Sequence, residues 1–127
     1  MEIPVLKQKF VELAGKHGLV LGVLFGSQAT GKTHAKSDID VGFIADRQLS
    51  LWQIAELQEE LMVATGQGNI KLIDLNYIAP ATPETAAMYF DSVLLYEKEQ
   101  NNFAEFQLYA QKLYMECHER LKLILSA

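Results

Sequence analysis

Between Pro4 and His17 apolar residues recur every three or four positions, and Leu6, Phe10, Leu13 and Ala14 fall on one face. This spacing predicts a helix, with Pro4 suited to its first turn and Gly18 to its C-terminal cap. The pattern then changes to two apolar runs that predict strands, Leu19 to Phe25 and Ile39 to Ala45, the second with the β-branched and apolar content of a buried strand and with aspartates at its entry. Ser50 followed by Gln53 forms a capping-box pair, and Ile54, Leu57, Leu61 and Ala64 carry a helical stripe towards Gly66 and Gly68. Beyond these glycines the chain predicts a third strand from Asn69 to Tyr77, a helix start at Thr82-Pro83-Glu84 and a short fourth strand from Ser92 to Glu97. A long helix from about Asn101 to Leu125 carries Phe103, Phe106, Ala110, Leu113, Cys117, Leu121 and Ile124 on one side.

This order of elements indicates an α/β or α+β fold, a small mixed β-sheet with flanking helices. At 127 residues, half of them hydrophobic, residues 1–127 are expected to form one domain around a single core. The stripe on the last helix is expected to pack on that sheet; the alternative is a partner groove, which Tyr109 and Tyr114 would border.

Charge and cysteine usage narrow the partners. A formal charge of −5 argues against a surface that tracks long nucleic acid, which calls for a basic face. With Cys117 as the sole cysteine, no intrachain disulfide can form and a cysteine-based zinc site is disfavoured, as expected of a cytoplasmic protein. No run approaches the roughly 18 apolar residues that span a bilayer, so membrane embedding is not expected.

The candidate chemistry sits between the first two strands, where one segment satisfies two phosphate-binding patterns. Gly26 to Thr33 spells the G-x-x-x-x-G-K-T of a P-loop, while Gly26-Ser27, ten intervening residues and Asp38-Ile39-Asp40 pair a phosphate-gripping turn with two carboxylates. A P-loop hands its phosphate to the N-terminus of a substantial helix, yet only His34 to Ser37 separate Thr33 from Asp38. The second pattern needs only what is present. Gly26 permits close backbone approach and Ser27 adds a hydroxyl, so both are assigned to nucleotide phosphate. Asp38 and Asp40, two apart in an extended segment, share one side with Cα atoms roughly 6.5 to 7 Å apart, suiting them to Mg²⁺. His17 is read as a helix C-terminal cap and His34 as a solvated loop residue, and Glu116, Cys117 and His118 point in different directions on their helix.

Together with Leu24-Phe25, Leu72-Ile73-Asp74-Leu75 and Val93 to Glu97, these residues resemble the minimal nucleotidyltransferases of the DNA polymerase beta superfamily. The resemblance implies that fold, binding of Mg²⁺ with ATP or another nucleoside triphosphate, and transfer of a nucleoside monophosphate, AMP above all, to an acceptor hydroxyl. Asp38 and Asp40 become the catalytic and metal-binding residues. Small members resembling this chain are commonly antitoxins of HEPN-domain ribonuclease toxins, which they silence by attaching AMP, so such a toxin is the implied partner; self-association is the other partner considered. Two positions depart from the family pattern. Where members often have an arginine, the nearest residues are Thr30 and Lys32. The third carboxylate, expected on the third strand, aligns with Lys71, and a shifted alignment would supply Asp74 instead. A site lacking that carboxylate would leave a nucleotide-binding or toxin-docking subunit; modification of a small molecule is a further alternative.

Overall fold

A computed structural model describes residues 3–25, 39–77 and 91–126. Within them the order is α1 (Ile3–His17), β1 (Leu19–Phe25), β2 (Ile39–Ala45), α2 (Leu51–Thr65), β3 (Ile70–Asp74), a single 3-10 turn (Leu75–Tyr77), β4 (Val93–Glu97) and α3 (Asn102–Leu125). The strands form one sheet in the order β3-β2-β1-β4. β1 runs antiparallel to both β2 and β4, while β2 and β3 are parallel, so the sheet is mixed as expected.

Local chemistry accounts for the boundaries. Gly18 takes a left-handed φ of 63° between α1 and β1, where a side chain would run into Asp46, and the amide of Asp46 donates to the Gly18 carbonyl at 2.8 Å. Ser50 caps α2 reciprocally: its Oγ accepts from the Gln53 amide at 3.1 Å, and its own amide donates to Gln53 Oε1 at 2.9 Å. Gly66, at φ 69°, ends that helix. The third strand stops three residues short of the expected Tyr77, and the side chains explain why. Asp74 Oδ1 accepts from the Asn76 amide at 3.0 Å, closing an Asx-type turn, and the Asn76 side chain bonds the backbone N and O of Ala45, each at 3.2 Å. The helix start expected at Thr82 lies outside the described residues.

Two apolar layers sandwich the sheet. Leu6, Phe10 and Leu13 of α1 and Leu57 and Leu61 of α2 pack with Leu24, Ile39, Val41, Phe43 and Ile70 on one face. Phe106 and Ala110 of α3 pack with Leu21, Val23, Phe25 and Leu75 on the other. The expected stripe on α3 is thus only partly used. Phe106, Ala110 and Cys117 are buried, but Ile124 is 69% exposed; the Leu121 side chain lies outside the described residues. Among the described residues no helix is long and apolar enough to cross a membrane.

Candidate active site

The ends of three strands meet where the sequence places the candidate chemistry. Phe25, the last residue of β1, pairs with Asp40 on β2, and Asp40 in turn pairs with Lys71 on β3. Residues paired across adjacent strands project to the same side of a sheet, so Phe25, Asp40 and Lys71 form one row, with strands about 4.8 Å apart. The row faces the α3 side: Ile39 and Val41, flanking Asp40, belong to the opposite apolar layer. Asp40 is half-buried, whereas Lys71 at the neighbouring position is exposed.

Packing behind the row holds it in place. The Phe25 ring lies 6.5 Å from that of Phe106, at 46°, tying the end of β1 to α3. Gly42, two residues beyond Asp40 on the same side of β2, leaves the space this ring fills: a Cβ there would stand 2.5 Å from Phe25 Cε2 and 2.8 Å from Leu75 Cδ1. The glycine therefore lets an aromatic ring lie against the strand next to the carboxylate.

Asp74 stands elsewhere. Its register partner is Phe43, three residues along β2 from Asp40 and on the other side of the sheet, and its carboxylate is committed to the Asn76 turn. A strand pairing that would bring Asp74 abreast of Asp40 is not the one formed.

Of the residues assigned from sequence, Asp40 takes its position beside the end of β1. Gly26, Ser27 and Asp38 lie outside the described residues, as do Thr30, Lys32 and His34. β2 begins at Ile39, so the chain after Thr33 is as short as the argument against a P-loop requires. A hard cation suits the oxygen donors of aspartates such as Asp38 and Asp40, while the ammonium of Lys71, abreast of Asp40, offers no donor to it. A cavity of about 380 Å³ between sheet and α3, lined by Leu21, Ile44, Asn76, Phe106 and Tyr109, lies towards the start of β1, away from this row.

The sequence model of the polymerase beta nucleotidyltransferases matches residues 8–101. No curated protein matches the chain. Among solved structures, a chain of a toxin–antitoxin complex with AMP-PNP superposes with a TM-score of 0.73 at 23% identity, covering 94% of this chain and 95% of that one. A chain from the complex of a tri-AMPylated Shewanella oneidensis HEPN toxin with its MNT antitoxin gives 0.70 at 20% identity, covering 98% and 97%. A chain of a MntA–HepT toxin–antitoxin complex gives 0.68 at 20%, covering 96% and 95%. These likenesses establish a shared fold, the polymerase beta-like nucleotidyltransferase fold with its long C-terminal helix. Because the family match runs without interruption from within α1 to the start of α3, the chain belongs to the polymerase beta nucleotidyltransferase family.

Proposed function

We propose that this chain transfers a nucleoside monophosphate, AMP from ATP, to a hydroxyl of a partner protein, acting as the antitoxin of a HEPN-type toxin. The observation that carries the reading is the abutment of Phe25 and Asp40. It brings the end of β1, from which Gly26-Ser27 follows directly, to the strand that carries the metal-binding acid. Gly26 and Ser27 hold the triphosphate, and Asp38 and Asp40 would hold Mg²⁺, which neutralises phosphate charge when bound. The acceptor oxygen forms a bond to the α-phosphorus, the α–β phosphoanhydride breaks, pyrophosphate leaves and the hydroxyl proton passes to solvent. Two similar complexes, one with AMP-PNP and one with a tri-AMPylated HEPN toxin, support both the nucleotide and the class of acceptor. A surface for a protein acceptor is available on α3, where Leu108, Tyr109 and Met115 are exposed, as are Leu123, Ile124 and Leu125 at its end.

A second reading rests on the Asp40–Lys71 register. An ammonium beside the metal-binding acid in place of a third carboxylate removes a donor and adds a repelling charge, favouring a subunit that binds nucleotide or docks on its toxin without transfer. Incubation with labelled ATP, Mg²⁺ and the product of the neighbouring gene separates the two. Label on the partner that disappears in the Asp38→Ala/Asp40→Ala variant supports transfer; label that persists in the variant refutes the site. A stable complex without label supports the docking subunit.

A further inference from the structure

At the far end of β1 lies a second cluster of ionisable groups, built from the C-terminus of α1 and the middle of α2. His17 is only 2% exposed, yet neither of its ring nitrogens has a hydrogen-bond partner. A buried polar group left unpaired is costly, and such groups in folded proteins call for an explanation. Its Nε2 faces Glu60 Oε1 at 3.7 Å, and Glu56, one turn earlier on α2, offers a second carboxylate on the same helix face. One donor atom from each of His17, Glu56 and Glu60 lies within 4.8 Å of the others.

Those separations are close to what a metal ion demands. With ligand bonds of about 2.0 to 2.2 Å, donors around a tetrahedral zinc stand roughly 3.4 Å apart. The His17–Glu60 pair at 3.7 Å is near that spacing, and Glu56, within 4.8 Å of both, would have to draw in around the ion. A cation already occupies the carboxylate pair: Lys16 Nζ lies 2.6 Å from Glu56 Oε1 and 3.2 Å from Glu60 Oε1. The Lys16 side chain is half-exposed, so it can swing into solvent and leave the oxygens to another cation. No hydrogen bond fixes a proton on Nε2, and the tautomer protonated at Nδ1 directs a lone pair towards Glu60.

We propose that His17, Glu56 and Glu60 form a three-ligand site for a divalent transition-metal ion of the zinc class, with Lys16 as the competing cation in the metal-free protein. The imidazole selects this class: magnesium and calcium take oxygen donors, whereas an imidazole with carboxylates suits zinc and its neighbours. Three protein ligands leave further positions to water on the open side, where Glu56 is exposed. The site pins the end of α1 to α2. It stands apart from Asp40, because His17 precedes the start of β1 while Phe25, the partner of Asp40, ends that seven-residue strand, about 20 Å away at 3.3 Å per residue.

The test titrates chelator-stripped protein with ZnCl₂ by calorimetry and follows the thermal midpoint, in an Asp38→Ala/Asp40→Ala background so that the other acids contribute nothing. One equivalent of saturable binding at micromolar zinc with a raised midpoint is expected. Glu60→Gln should weaken it about tenfold or more, while Lys16→Ala, by removing the competitor, should tighten it. Glu56 is exposed and Glu60 partly so, and Glu60→Gln keeps the shape of the side chain, so the variant retains the fold while losing the carboxylate. Absence of saturable binding, or binding that Glu60→Gln leaves unchanged, overturns the proposal. So does a Lys16→Ala variant that is merely less stable, with unaltered zinc affinity, since that is the behaviour of a simple ion pair.

Discussion

Asp40 and Lys71 lie abreast on the parallel strands β2 and β3, an acid and a base side by side on the α3 face of the sheet. The pairing follows from backbone register, which the apolar residues on either side enforce. Ile39 pairs with Ile70 and Val41 with Leu72, all facing the α1–α2 layer, and a one-residue slip would turn that whole set to the wrong side. The position of Lys71 is therefore as firmly set as the core itself.

Replacing Lys71 by aspartate exchanges the repelling ammonium for a donor at the same register. With ATP, Mg²⁺ and the partner present, Lys71→Asp is expected to raise the rate of AMP transfer at least about tenfold, a change of roughly 1.4 kcal/mol in the barrier. A rate that falls instead would show that the ammonium itself serves the triphosphate. Measuring ATP affinity of Lys71→Met without Mg²⁺ separates the cases: weaker binding identifies a phosphate contact.

Asp40→Asn keeps the shape of the side chain and removes its charge. Transfer is expected to drop by about 10² or more, because positioning and charge neutralisation by the metal supply most of the catalysis in this chemistry. The thermal midpoint should move little, since the residue is only half-buried. A large loss of stability with proportionate loss of activity would assign Asp40 a structural role.

Gly42 offers a test of the packing behind the site. An alanine Cβ would meet the Phe25 ring at 2.5 Å and Leu75 at 2.8 Å, and Phe25 also packs against Phe106. Gly42→Ala is expected to cost about 1 to 3 kcal/mol in chemical denaturation, the range for overpacking a filled core. Since Phe25 leads directly into Gly26, nucleotide affinity should fall with it. An unchanged denaturation midpoint would mean the ring relaxes freely.

Much of this was legible in the residues. The capping pair Ser50–Gln53, the turn glycines Gly18 and Gly66 and the apolar runs of β1 and β2 each encode their element locally, and each appears where its chemistry requires. The Asp40–Lys71 pairing was half-legible, because alignment suggested it but only strand register decides between Lys71 and Asp74. What escaped depends on contacts distant in sequence. β3 ends early because Asn76 bonds Ala45, thirty-one positions away, a partner that a window around Asn76 cannot reveal. From its place at the end of α1 His17 reads as a helix cap, whereas the fold buries its ring without a hydrogen bond and turns it towards Glu60. The one local signal was the i, i+4 spacing of Glu56 and Glu60, which means nothing until α1 packs against α2.

The ion pair between those helices gives the chain a defined pH response. The Lys16 ammonium, hydrogen-bonded to Glu56, holds that carboxyl below its ordinary value; Glu56, and then Glu60, hold Lys16 above its own. A carboxyl with a depressed folded-state pKa adds stability above its unfolded pKa, and that stability is lost as pH falls through the folded value. A raised lysine works in the opposite sense: its contribution is complete below its unfolded pKa and is lost as pH climbs through the folded one. The pair therefore stabilises between the carboxylate and lysine ranges and fades on both sides. In chelator, Lys16→Met should lower the thermal midpoint at neutral pH, with the gap from the parent narrowing as pH drops below the carboxylate range. Because the groups are exposed, the gap should be small and should shrink in 1 M NaCl, where the screening length is about 3 Å. A gap independent of pH would instead assign the effect of Lys16 to the packing of its aliphatic stem.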